Sequence, residues 1–228
     1  MNTKILAQRL LAIILAISWL PLAVAADTND VQLCSPFMDG KVEPTLLTNM
    51  LDAARDGNLY RIEDETSHVG FCVSSKFNEV KGDFQDVRGG LALTPSNTTA
   101  ADGQAMLVIN TASLDTKGSM IENLIKGERF FDVDKYPEIL FVSHGFEWSG
   151  QDSAKIIGNL TVHGVTRPVV FDVTLTPVED ASGSKTNRMV VKATTTIHRS
   201  DFGMDSMSRL VSDSVDLCMS VEVVRYSS

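Results

Sequence analysis

The sequence predicts an all-β protein, an eight-stranded antiparallel up-and-down barrel, and three observations lead there. The run from Gly158 to Thr176 alternates strictly: Leu160 and Val162 point one way, Thr161 and His163 the other. Beyond a Gly-Val-Thr-Arg-Pro corner, Val169, Phe171, Val173 and Leu175 share a face opposite Asp172, Thr174 and Thr176. A period of two with one apolar face marks a sheet that is solvated on one side only. The pattern recurs at about 67–76, 83–93, 104–111, 138–147, 153–163, 166–178, 188–198 and 213–225, mostly with short connections. Eight such strands are best served by closure, which removes exposed edges.

Residues 1–25 read as a secretory signal peptide: Lys4 and Arg9 precede an apolar stretch, Leu10 to Leu22, that ends in Ala23-Val-Ala25. The apolar run is too short to span a bilayer comfortably, so stable membrane insertion is not expected. No lipoprotein-type cysteine follows the cut, and the expected location is the periplasm of a Gram-negative bacterium. Cleavage removes two positive charges and no negative ones, moving the formal charge from −9 to −11. Such an acidic surface disfavours nucleic acid and anionic headgroups as electrostatic partners.

Residues 26–58 form an extension with its own character. After a loop with Cys34 and Pro36, Glu43-Pro44 opens a helix that closes near Asp56-Gly57. Its apolar residues Leu46, Leu47, Met50, Leu51 and Ala54 fall at helical spacing, while Asp52, Arg55 and Asp56 make a polar face unsuited to a membrane. Packing of this helix on the domain at 59–228 is expected. Within that domain, Pro95-Ser-Asn-Thr-Thr and Ala181-Ser-Gly-Ser mark exposed turns. Between the third and fourth strands lies a helical excursion, Ser119 to Tyr136, which Ser113-Leu-Asp-Thr116 introduces as a helix-capping turn.

Alternation assigns Val69, Phe71, Val73, Phe84, Phe141, Leu160, Val162, Phe171, Val173, Leu217 and Met219 to inner faces. Such a wall either fills itself or surrounds one small ligand. Phe130 and Phe131, in the excursion, read as a flap touching a ligand or as a lid packed permanently on the barrel end.

Eight motifs occur in the order of the YceI-like family: Tyr60-Arg-Ile-Glu-Asp, His68-Val-Gly-Phe-Cys-Val, Gly82-Asp-Phe, Ser113-Leu-Asp-Thr, Phe130-Phe131-Asp132, Tyr136-Pro137-Glu-Ile-Leu-Phe141-Val-Ser143, Gly158-Asn-Leu-Thr-Val-His-Gly164 and His198-Arg199-Ser-Asp-Phe-Gly-Met204. The resemblance covers roughly residues 59–225. It implies a lipocalin-like barrel of exported bacterial proteins that carries long polyisoprenoids, such as quinones with isoprenoid tails or polyprenyl phosphates. It turns the inner-face residues, with Phe130 and Phe131, into a ligand-binding set. The sequence departs from the family pattern in its cysteine-bearing extension and in Cys72 and Cys218. If the ligand carries a phosphate, Arg199 or Arg167 is the candidate contact, although Arg199 also reads as the partner of Asp201 in a tight loop turned by Gly203.

Catalysis is not expected. There is no Gly-x-Ser-x-Gly elbow and no phosphate-cradling glycine loop, and Ser182-Gly-Ser-Lys185 sits in a polar turn. His68, His144, His163 and His198 never occur at metal-ligand spacing, so neither metal nor cofactor is predicted. The competing reading is a filled barrel that serves as an interaction module, docking on a membrane redox or envelope-stress partner.

Three cysteines in an oxidising compartment predict one disulfide. Cys72 and Cys218 alternate outward on the first and last strands, which are neighbours in a closed barrel, and so read as a clasp across the seam. The alternative ties Cys34 to one of them. In the clasp reading Cys34 stays free and could join two copies as a homodimer.

Overall fold

The structure, a computed structural model, describes residues 42–93 and 103–226. The predicted signal peptide, Cys34 and the turn at Pro95 lie outside the described residues. The first element is helix α1, Pro44–Arg55, with proline at its opening turn, where the missing N–H costs nothing. Asp56 and then Gly57, at φ +68°, end it.

Ten strands follow: β1 Leu59–Ser75, β2 Glu79–Phe84, β3 Val87–Leu93, β4 Gly103–Asn110, β5 Leu114–Thr116, β6 Glu138–Trp148, β7 Ser153–Val162, β8 Val165–Glu179, β9 Lys185–His198 and β10 Val211–Arg225. Eight of them form the ring β1-β3-β4-β6-β7-β8-β9-β10, antiparallel throughout, which the β10–β1 pairing closes. The predicted barrel is therefore present. The predicted second strand, 83–93, is broken at Gln85-Asp86 into β2 and β3, and both halves pair with β1. Asp86 is occupied there by Arg88 and by the Asn110 amide, so the chain bends at that point.

The predicted first strand began at 67, but β1 starts at Leu59. Four residues separate Glu63 from His68 on β1, whereas one separates their partners Glu222 and Ser220 on β10. This bulge, spanned by the Ser67 hydroxyl donating to the Glu63 carbonyl, interrupts the alternation that a sequence reading follows. Ser113-Leu-Asp-Thr116 is not a helix cap. Leu114–Thr116 is strand β5, which extends the sheet beyond β2, with Leu114 opposite Phe84. Helix α2 is short, Ser119–Lys126, begins after Gly118 without a side-chain cap, and gives way to turns before Tyr136.

Leu46, Leu47 and Met50 of α1 pack with Val42 against Met106, Val108, Leu140 and Val142, outward-facing residues of β4 and β6. Leu51 does not share in this: it is 62% exposed. The helix thus covers outer wall, while the main core lies inside the ring.

Candidate functional site

The ring encloses an apolar cavity of about 350 Å³. All thirteen residues of the predicted ligand-binding set line it: Val69, Phe71, Val73, Phe84, Phe130, Phe131, Phe141, Leu160, Val162, Phe171, Val173, Leu217 and Met219. The sequence reading missed Ile62, which lies beyond the bulge on β1, and Leu91, Leu107, Ile139, Ile156 and Val191, which follow the same alternation on β3, β4, β6, β7 and β9. The last five were detectable by extending the period of two along each strand, whereas the bulge hid Ile62.

Aromatic rings shape the interior. Phe141 and Phe171 meet edge to face, their centroids 5.1 Å apart. The Phe141 ring lies over Gly158, where a Cβ would come within 2.6 Å of ring carbons, so the glycine makes room for the aromatic. Phe131 wedges between Phe71 and Phe84, at 5.8 and 5.7 Å in edge-on geometry. The excursion is therefore packed into the barrel end as a lid in this structure, with Ile121 and Ile125 of α2 also on the cavity. Its base is tied down by Thr111, whose buried hydroxyl donates to the Tyr136 carbonyl. Tyr136 in turn packs on His163 at 4.5 Å and against Gly164. His163 and Gly164 both have positive φ, as the two-residue turn joining β7 to β8 requires. His163 therefore belongs to the turn and not, as read from alternation, to the strand.

Polarity is confined to one end. Cys218 borders the cavity from an exposed position that alternates outward, and the other polar residues on it are Ser75, Asn78 and Arg199, all at the end where the β1–β2 turn, α2 and the loop before β10 gather. Arg199 is 4% exposed and does not pair with Asp201. Its Nε donates to the Ser212 carbonyl at 2.9 Å, Nη1 to those of Met204 and Ser206, and Nη2 to that of Val211 at 3.2 Å. A buried cation held by carbonyls is satisfied without a counter-ion nearby in sequence, and here it clamps the loop over 203–212. Asp213 holds the loop's other side. The Ser200 backbone N–H, then the Ser200 hydroxyl, lower its carboxyl below the usual range. Arg167 is exposed, donates to the Thr166 carbonyl and does not line the cavity.

Cys72 and Cys218 are free thiols on adjacent strands. They are not directly opposite: Cys72 faces Asp216, and Cys218 faces Gly70. Desolvation, then the neighbouring Cys72, raise the Cys218 thiol above its ordinary pKa. Among the described residues no cluster of His, Cys, Asp or Glu could hold a metal ion. No helix among them is long and apolar enough to cross a membrane.

Fold and site together define a closed antiparallel barrel around an apolar cavity with a polar mouth. The chain belongs to the YceI-like family, whose domain matches residues 60–223. It is 31% identical over 172 residues to a UPF0312 protein of Pseudomonas putida strain GB-1, covering 75% of this chain and 84% of that one. Its fold is similar to that of BcnA from Burkholderia cenocepacia, with a TM-score of 0.63 at 22% identity, over 71% of this chain and 98% of that chain. It is also similar to a polyisoprenoid binding domain from Saccharophagus degradans implicated in plant cell wall breakdown, with a TM-score of 0.55 at 16% identity, over 73% and 98%.

Proposed function

We propose that this protein is a periplasmic carrier that holds the tail of an isoprenoid lipid, a quinone or a polyprenyl phosphate, inside the barrel, with the headgroup at the mouth. The observation that carries this reading is the one-sided polarity of the cavity: apolar along its length, with Ser75, Asn78 and Arg199 at one end. A ligand with one polar end matches that gradient, because a buried polar group without a partner is costly. About 350 Å³ lies near the lower end of the roughly 300–1,000 Å³ typical of small-molecule sites. A long tail would therefore have to displace wall side chains or remain partly in the mouth. The fold shared with a polyisoprenoid binding domain supports the choice of ligand class. The inventory of the site favours binding over catalysis, and the signal-like segment at 1–25 supports export.

Mass spectrometry of protein purified from its own host tests this directly. The expected result is a stoichiometric isoprenoid lipid and a chain that begins after Ala25. An empty barrel would overturn the carrier reading and favour a docking module for a membrane redox or envelope-stress partner. An intact N-terminus in the cytoplasmic fraction would overturn the location.

A further inference from the structure

Seven large apolar residues are exposed among the described ones, and four of them surround one opening. Phe77, at the tip of the β1–β2 turn, is 84% exposed, and Met120, on α2, is 85% exposed. Leu124, one helical turn after Met120, and Leu210, at the end of the loop before β10, are 39% and 37% exposed. Phe77, Leu124 and Leu210 also line the cavity, so its apolar lining continues outward onto the surface. The Lys76 N–H bonds the Leu210 carbonyl, which holds two of these tips side by side. The other three, Leu51, Val170 and Tyr226, sit singly on α1, β8 and the end of β10, as ordinary surface residues do. Exposed apolar tips gathered at a cavity mouth are not ordinary and mark an interaction surface.

Charge indicates what covers it. Lys76 precedes Phe77, Lys117 lies just before α2, and Arg209 precedes Leu210. None of these cations is in an ion pair among the described residues, whereas two of the acids on the same segments are, Glu79 with Lys81 and Glu122 with Lys126. Asp115, Glu128 and Asp205 also lie in these segments, so the ring is not a basic patch. It is a set of apolar tips with cationic shoulders on an otherwise acidic molecule, the arrangement that seats side chains below headgroups while cations stay among the phosphates. We propose that this ring docks the barrel mouth on a lipid bilayer, so that a ligand's tail passes between membrane and cavity without crossing water. The purpose rests on the carrier reading; the docking itself does not.

The test is flotation of the protein with protein-free vesicles of phosphatidylethanolamine and phosphatidylglycerol, comparing wild type with the double variant Phe77→Ser, Met120→Ser. Both side chains are almost fully exposed, so the variant should fold as wild type does, which circular dichroism checks. Removing each apolar tip should weaken binding about tenfold, and Leu51→Ser, on the exposed face of α1, should leave it unchanged. Docking is overturned if wild type does not float, if the double variant floats equally, or if Leu51→Ser is as damaging. Binding to host membranes but not to protein-free vesicles would assign the ring to a protein partner and overturn it too. Native mass spectrometry of the same samples separates the two proposals. Flotation with an empty barrel sinks the carrier alone, and a loaded barrel that does not float sinks the docking alone.

Discussion

Replacing Phe171 by alanine separates a wall that lines a ligand site from one that fills itself. The side chain is 9% exposed, meets Phe141 edge to face and borders the cavity. In a closed core a Phe→Ala change costs about 3–5 kcal/mol. Of this, about 0.5–1.5 kcal/mol belongs to the aromatic pair. One side of Phe171 already faces open volume and has fewer packing contacts to lose, so about 3 kcal/mol is expected. Phe202 is 1% exposed and does not border the cavity, so Phe202→Ala should cost more, about 4–5 kcal/mol. Ligand binding should rank the two in the opposite order. Losing the Phe171 surface should weaken lipid retention about tenfold, and losing Phe202 should leave it nearly unchanged. Urea unfolding of the delipidated proteins gives the first quantity, and competition with a fluorescent isoprenoid probe gives the second. A stability loss at Phe171 equal to that at Phe202, with unchanged retention, would refute the reasoning and make Phe171 plain core.

Arg199→Met keeps the stem but strips the donors from four carbonyls; with each orphaned buried acceptor worth about 1–3 kcal/mol, a loss of at least about 3 kcal/mol and early proteolysis within 203–212 are expected, and an unchanged melting temperature would contradict the clamp. Oxidation should join Cys72 to Cys218, stabilising by the lower part of about 2–4 kcal/mol, because diagonal neighbours sit near the limit of what a disulfide spans. A raised Cys218 pKa leaves it protonated at neutral pH, so the uncatalysed reaction should be slow and should accelerate as pH rises; a peptide linking Cys34 to either strand cysteine would sink the clasp. Leu46→Ala should cost about 2–5 kcal/mol and Leu51→Ala almost nothing; equal effects in thermal unfolding would show that α1 does not pack through one face.

Local alternation determined the barrel and its lining. Side chains in a strand switch faces at every residue, so Val69, Phe71 and Val73, or Phe171 and Val173, reach one interior whatever their partners are. Pro44 and Gly57 likewise marked the bounds of α1, since each signals through its own backbone. Relations between strands were not legible. The bulge between Glu63 and His68 shifts which residues of β1 and β10 stand opposite one another, and the resulting register sets Cys218 across from Gly70 and Cys72 across from Asp216. Arg199 took backbone carbonyls as partners, which carry no residue-specific signal, and Arg167 remained outside the cavity. The four exposed apolar residues at the mouth come from three segments far apart in sequence. Only closure of the ring brings those segments together, because pairing between distant strands is a property of the whole sheet and not of any one stretch.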